Sequence, residues 1–435
     1  MPRKPVYIPL HVLLNGQFVG RLKRKASGAI DFQYDQTWLA RPEAIPVSLS
    51  LSLREQRYVG EPVSAVFENL LPDNTAIRRH LAQRVGARGT DAYSLLAEIG
   101  RDCVGALQFV LEGAAVGEVG SIDGRQLKDA EIANIIRNLA HAPLGNSEDD
   151  EFRISIAGAQ EKTALLRVDG KWLWPHGATA TTHIVKPQIG LLDNGIDLSQ
   201  SVENEHFCLR IAEACGLPTA KTEIHQFDDQ SVLVIERFDR LWTKDKRLLR
   251  LPQEDCCQAL SVPPSLKYQS EGGPGIRGIL ELLKASDDAD ADRKTFIKAQ
   301  IVYWLLGATD GHAKNFSIRL FAGGRFRMTP LYDIMSAQPN VDAGQIQPKR
   351  FKLATSVGDK RHYLVNSITR RHFMQSAASA GMTQADIQSV FDELSKLGAK
   401  PIAKAGERLP SDFPEHIIES ISRGYEARLR LLMSG

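Results

Sequence analysis

Ile301-Val-Tyr-Trp-Leu-Leu-Gly-Ala-Thr-Asp-Gly-His-Ala-Lys-Asn-Phe-Ser-Ile318 runs from an apolar stretch through a polar knot into an alternating segment. Residues 301–306 are apolar, 310–315 hold Asp310, Gly311, His312, Lys314 and Asn315, and alternation resumes at Phe316. The pattern predicts a buried element that ends at the knot and a strand that leaves it. The polar side chains then sit on a short loop clamped at both ends. Asp310 and Asn315 stand five residues apart. Phosphoryl transfer uses such a pair: a carboxylate orients the attacking hydroxyl and a carboxamide oxygen holds magnesium nearby. A tight turn capped by Asp310, with Gly311 at positive φ, would use the same residues, so the rest of the chain has to decide.

At 435 residues the chain is too long for one ordinary core, and two or more domains are expected. With 43% hydrophobic and 24% charged residues it reads as globular and not disordered. No apolar run approaches the ~20 residues that span a bilayer, so no membrane role is expected. The start, Met-Pro-Arg-Lys-Pro-Val-Tyr-Ile, lacks an apolar h-region, and nothing in it suggests secretion. Five cysteines (103, 208, 215, 256, 257) lack metal-ligand spacing and fit reduced core thiols in a cytoplasm. A net charge of +2 supplies no global field for nucleic acid, so strong direct DNA binding is not expected.

Residues 1–108 read as β-rich with some helix: a hairpin turning at Asn15-Gly16, strands at 29–34 and 47–53, helices at 65–71 and 77–85. A strand is expected at 103–111 with Gly105 inside it, then a helix at 129–139 and a solvated acidic run at 148–151. Residues 153–167 read strand, small-residue loop, strand. Ala157, Gly158 and Ala159 leave the backbone bare for phosphate oxygens; Gln160 and Glu161 follow, and Lys162 adds positive charge. A Walker A loop is rejected, because the second glycine and the following helix are missing. A plain hairpin suits the same residues. Lys186 ends a short β-branched strand, where a kinase keeps the lysine that neutralises nucleotide phosphates; an ordinary strand-end lysine looks alike. A helix at 201–214, stopped by Gly216, carries Glu203 and Glu205. Either could pair with Lys186, and Glu205 is preferred; a solvated glutamate near a helix start is the alternative.

The strand at 231–236 turns polar at Glu236, Arg237 and Phe238, where a two-lobed kinase places the backbone that bonds the adenine edge; a strand finishing in a surface salt bridge is the alternative. Residues 251–275 are loop-rich and long enough to be functional. Helices at 276–285 and 294–306, separated by an acidic linker at 287–292, lead into the polar knot. A hairpin across Gly323-Gly324 then returns the chain to Tyr332-Asp333-Ile334. Asp333 stands where a second metal-binding carboxylate should arrive, although no glycine follows it. The remainder reads as helices at 370–380, 384–397 and 414–432.

In order, these features match the kinase pattern: bare loop, strand lysine, helix glutamate, polar strand end, Asp-x-x-x-x-Asn loop, metal aspartate. Asp310 would accept the hydroxyl proton, Asn315 and Asp333 would hold Mg2+, and Lys186 would clamp the phosphates of ATP. His312 and Lys314 could steady the γ-phosphate or the base. The chain closely resembles the HipA family of bacterial toxin serine/threonine kinases. The match is most specific at Ile154-Ser-Ile-Ala-Gly-Ala-Gln-Glu-Lys-Thr-Ala-Leu, Glu236-Arg-Phe-Asp-Arg, Leu251-Pro-Gln-Glu-Asp, Gly272-Gly-Pro-Gly, Ala308-Thr-Asp-Gly-His-Ala-Lys-Asn-Phe and Tyr332-Asp-Ile. The resemblance implies an α+β, two-lobed protein-kinase-like fold of the phosphatidylinositol-kinase-like branch. Its small lobe would be β-rich (1–108, completed by 109–237) and its C-terminal lobe mainly helical (238–435). It places Tyr332 with Lys186, His312, Lys314 and residues 157–162 and 236–238 at the nucleotide, and makes Ser155 the autophosphorylated serine. It also implies a partner, a dimeric helix-turn-helix antitoxin like HipB, which binds operator DNA and makes the pair a corepressor complex. The family's prototype phosphorylates glutamyl-tRNA synthetase, the substrate the resemblance puts first, and so slows growth into persistence. The rivals are a non-catalytic corepressor and a lipid or small-molecule kinase.

Overall fold

Asn15 and Gly16 both take positive φ (46° and 74°), the twist a two-residue turn needs between antiparallel strands, and they join Leu10–Leu14 to Gln17–Arg24 as expected. The computed structural model describes residues 7–139 and 160–434 and groups them into two compact units. The first takes the described parts of Met1–Pro187 with His225–Ser265 and Ile318–Phe326; the second takes Gln188–Ile224, Leu266–Ser317 and the described part of Arg327–Gly435. Each unit collects segments distant in sequence. Ser155, Ala157, Gly158, Ala159 and the acidic run at 148–151 lie outside the described residues.

The first unit is β-rich. One antiparallel sheet has the order Tyr58–Val59, Ile30–Tyr34, Gln17–Arg24, Leu10–Leu14, Leu107–Leu111. Val12, Leu22, Phe32 and Phe109 from its strands share a core with Val66 and Phe67 of helix Glu61–Glu68 and Leu96 of helix Ala92–Ile99. The strand expected from 103 begins only at Leu107, because Gly105 sits at φ 73° and turns the chain first. The strand expected at 47–53 is absent; Ser48 and Leu51 make one isolated bridge. Leu49 N–H instead donates to Glu254 Oε1 at 2.8 Å, and Ser50 Oγ donates to Gln258 O at 2.8 Å. In a second sheet Gln230–Glu236, His183–Pro187, Thr163–Val168, Lys171–Pro175 and Gly124–Gln126 lie side by side in that order, over a core of Ile132, Ile136, Leu165, Trp172, Val185 and Val232.

A buried ionic network fills the unit's interior. Asp102 Oδ1 accepts from Arg240 Nη2 and Arg250 Nε, each at 2.8 Å, and Oδ2 from Thr181 N (3.0 Å) and Oγ1 (2.7 Å). Arg237 donates to both oxygens of Asp239 (3.0 and 2.8 Å), which in turn accepts from Gly105 N at 2.7 Å. Burial alone would raise the Asp102 pKa, but Arg240, Arg250 and Arg237 overcome it and hold the carboxyl well below its usual range.

The second unit is mainly helical, around Ala289–Leu306. Residues 296–306 are buried without interruption, so the helix has no solvent face there; Lys298 Nζ bonds Glu393 Oε1 at 2.6 Å, and Gln300 Oε1 accepts from Thr355 Oγ1 at 2.9 Å. Its first turn carries Asp290 and Asp292, which suit the positive end of the helix dipole. The acidic run read as a linker is therefore the start of this helix, with Asp292 Oδ2 accepting Met328 N–H at 2.8 Å. Helices Ser201–Ala214 and Gln384–Leu397 match their expected limits, and Ile276–Leu283, Arg370–Ser379 and Glu415–Met433 lie within one or two residues of theirs. All five cysteines are buried and unbridged. Among the described residues no helix is long and apolar enough to cross a membrane.

Candidate active site

The central helix stops at Gly307, whose φ of 67° lets Gly307 N bond Trp304 O (3.0 Å) and Ala308 N bond Tyr303 O (2.8 Å). A Cβ there would lie 2.7 Å from Phe351 Cζ, so close packing as well as φ asks for glycine. The chain then makes a tight loop. His312 N donates to Asp310 O (2.8 Å), Asn315 N to His312 O (2.9 Å), and Asn315 Nδ2 reaches back to Asp310 O at 2.7 Å. The five-residue spacing is thus the span of a side-chain tie across the loop. It fixes the carboxamide and presents Asn315 Oδ1 as a hard oxygen donor. His312, Lys314 and Asn315 are buried, whereas the Asp310 side chain is 57% exposed, as a group that meets an incoming hydroxyl must be. Asp310 Oδ1 accepts from Tyr268 O–H at 2.5 Å and lies 3.9 Å from His312 Nε2.

Asp333 sits at φ 55°, which costs a non-glycine residue roughly 1 kcal/mol and persists only where neighbours enforce it. They do so on both sides. Leu331 bonds Pro218 O and Ala220 N, each at 2.8 Å, and Ser336 exchanges two 2.8 Å bonds with the side chain of Asn204. Tyr332 O–H reaches Lys314 O (2.8 Å) and Ser317 Oγ (2.5 Å), tying the Asp333 segment to the Asp310–Asn315 loop.

Tyr303 lies under this arrangement. Its ring packs so closely on Gly311 that a Cβ there would be 2.4 Å from Cδ2. Its hydroxyl is buried without a hydrogen-bond partner among the described residues. Burial first, then the charges of Asp333, Asp310 and Glu205, push its pKa well up. Glu203 is engaged elsewhere, accepting from Gln188 Nε2 at 3.1 and 2.8 Å, while Glu205 is buried.

Among the described residues no group of three or more His, Cys, Asp or Glu side chains is arranged to hold a metal. Asn315 with Asp333 fits a magnesium ion that arrives with its nucleotide, since Mg2+ takes one or two protein oxygens and completes its shell with phosphate and water.

The remaining sequence candidates belong to the first unit. Lys186 is buried opposite Leu233 in the second sheet, and Gln160 Nε2 donates to Pro187 O at 2.9 Å; Glu161 and Lys162 are half-buried. Glu236 ends its strand exposed, in register with His183, and Phe238 is half-buried. The guanidinium of Arg237 is enclosed by Asp239, Thr181 Oγ1 and Cys103 O, and its backbone N–H donates to Thr182 O at 2.9 Å, so its side chain belongs to the buried network. Asn204, Tyr268 and Tyr303 were not legible as site residues, because no spacing or motif separates them from ordinary helix and loop positions.

The fold and site together suit a phosphotransferase-like protein: a β-rich unit and a helical unit, the latter carrying the exposed Asp310, the buried Asn315 and Glu205, and Asp333. Residues 154–400 match the HipA-like C-terminal domain and residues 10–110 the HipA N-terminal domain. The chain is 36% identical over 331 residues to Y4mE of Sinorhizobium fredii, which carries the name of a kinase, covering 75% of this chain and 77% of that one. It is 27% identical over 368 residues to the serine/threonine-protein kinase toxin HipA of Shewanella oneidensis, covering 81% and 79%. In fold it superposes on HipA from the Shewanella oneidensis complex of HipA, HipB and operator DNA with a TM-score of 0.81 at 23% identity, covering 97% of this chain and 96% of that one. The chain belongs to the HipA family and is, by that kinship, a serine/threonine-protein kinase.

Proposed function

We propose that the chain is the toxin of a HipBA-type type II toxin–antitoxin system, a cytoplasmic Mg-ATP-dependent kinase of two lobes in the phosphatidylinositol-kinase-like branch. The observation that carries the chemistry is the Asn315 carboxamide tied to Asp310 O, with Tyr332 O–H tying the Asp333 segment to the same loop at Lys314 O. Asp310 takes the proton of the acceptor serine or threonine hydroxyl. Asn315 and Asp333 would hold Mg2+, which supplies charge neutralisation on the transferring phosphates. Lys186, with Glu205 to orient it, neutralises the phosphate oxygens of ATP, and Glu236, Phe238, Tyr332 and residues 157–162 bind the nucleotide; His312 and Lys314 steady the transferring group. On the same reading a HipB-like antitoxin dimer brings the chain to operator DNA as corepressor, and the substrate is a translation factor, first glutamyl-tRNA synthetase. Ser155 is its autophosphorylation site. A phosphate there adds about 1.5–2 negative charges, which disfavours ATP phosphates beside it and silences the enzyme.

The test is purified protein with γ-labelled Mg-ATP and bacterial lysate, read by autoradiography and phosphopeptide mass spectrometry. Label on protein hydroxyls, including Ser155, is expected. Asp310→Asn and Asp333→Asn should each lower transfer by at least 10³-fold while the thermal midpoint stays within a few degrees. Retained transfer in either variant, or label that partitions into extracted lipid, refutes the reading.

A further inference from the structure

The Gly- and Pro-rich stretch before the helix Ile276–Leu283 has no part in the chemistry so far, yet it is built with unusual rigidity. Tyr268 O accepts from Glu271 N and Gly273 N, both at 3.0 Å, and Gly272 turns the chain at φ 104°. A Cβ on Gly273 would fall 2.0 Å from Leu266 O, and one on Gly275 would fall 2.3 Å from Gln269 Cδ, so the turn closes on itself without room for a side chain. Gln269 Oε1 accepts from Ser356 N (2.7 Å) and Oγ (3.1 Å), which anchors the turn to the strand Lys352–Val357. Lys267 O accepts from Ala313 N at 3.4 Å, which joins the turn to the Asp310–Asn315 loop. The product of all this fixation is one side chain: the Tyr268 ring stands edge-on to His312, centroids 5.0 Å apart, with its hydroxyl 2.5 Å from Asp310 Oδ1.

An aspartate 57% exposed would otherwise rotate freely about its last bond. With Oδ1 held by Tyr268, Oδ2 is the oxygen turned toward an acceptor. We propose that Tyr268 is a positioning residue for phosphoryl transfer: it locks Asp310 so that Oδ2 receives the proton of the acceptor hydroxyl, whose oxygen forms the new P–O bond as ADP leaves. The 266–275 turn is then a catalytic support and not a connector. The inference rests on Asp310 being the base.

The experiment measures label transfer from γ-labelled Mg-ATP to lysate protein by wild type, Tyr268→Phe and Gln269→Ala. Loss of the hydroxyl should lower kcat about ten- to hundredfold, the scale of a misplaced catalytic group, with KM for ATP moving less than about twofold. Gln269→Ala, which keeps Tyr268 but frees its turn from Ser356, should give a smaller fall in kcat with the same unchanged KM. Thermal midpoints within about 2 °C of wild type would show both variants folded, given the small cost of one exposed hydrogen bond. An active wild type with Tyr268→Phe equally fast or faster overturns the inference, as does phosphate found on Tyr268 itself. An inactive wild type instead overturns the kinase chemistry on which it stands.

Discussion

Replacing Asp102 by Asn should cost the first unit more stability than its size suggests. The asparagine is the same shape, so it opens no cavity, but it carries no charge and only one acceptor oxygen. Asp102 Oδ1 receives Arg240 and Arg250, and Oδ2 receives two bonds from Thr181. Whichever way the amide turns, its NH2 faces two donors. The three arginines would be left with Asp239 as their remaining carboxylate in this network. Arg240, although lowered to about 10 by burial and by the charge of Arg237, stays protonated at neutral pH and cannot escape by losing its charge. Breaking a buried pair from one side costs about 3–5 kcal/mol, which for a unit of this size lowers the midpoint by roughly 10 °C. Scanning calorimetry at pH 7, with urea unfolding alongside, measures it; the urea midpoint should fall with its slope unchanged. The pH dependence has a definite sign. The folded pKa of Asp102 is depressed, so its contribution is present above the unfolded value of about 3.9 and is lost as pH falls toward the folded one. Wild type should lose stability steeply below about pH 4 and the variant less so. A variant within 2 °C of wild type, with the same acid limb, would refute the network as a source of stability.

Glu254 predicts the opposite dependence. Burial raises its pKa to about 8 against the bond from Leu49, and Oε2 has no partner among the described residues. An acid neutral when folded and ionised when unfolded has its stability intact below the unfolded pKa. That stability is lost as pH rises toward 8, at up to about 1.4 kcal/mol per pH unit. Glu254→Gln, which can keep the Leu49 bond, should therefore be more stable than wild type at pH 8 and equal near pH 4; chemical denaturation at both values decides it. Gly311→Ala should lower phosphoryl transfer by about a hundredfold, because its methyl would meet the Tyr303 ring at 2.4 Å and displace the loop that holds Asp310. A crystal structure with the loop unmoved, or full activity, would contradict that.

Much of the helical unit was legible because its signals are local. The helix Ser201–Ala214 ends before Gly216 at φ 80°, and the central helix stops at Gly307, where only a residue free to take positive φ closes the last turn. Asp310, Asn315 and Asp333 stand out in the sequence as candidates because phosphoryl transfer asks for those residue types at that spacing. Expectation failed where distant partners override local preference. The segment at 47–53 has the alternation of a strand, but Glu254 and Gln258 take its hydrogen bonds.

The amino-acid order alone therefore determined which oxygens, amides and cations are candidates for phosphoryl transfer, and in what sequence along the chain. Only the tertiary structure decided that Glu205 is buried while Glu203 binds Gln188, that Tyr303 packs on Gly311, and that a close-packed glycine turn brings the Tyr268 hydroxyl to Asp310. The reason is physical: helix stops and turns depend on φ/ψ limits within a few residues, whereas burial and side-chain hydrogen bonds are set by whatever the fold brings alongside.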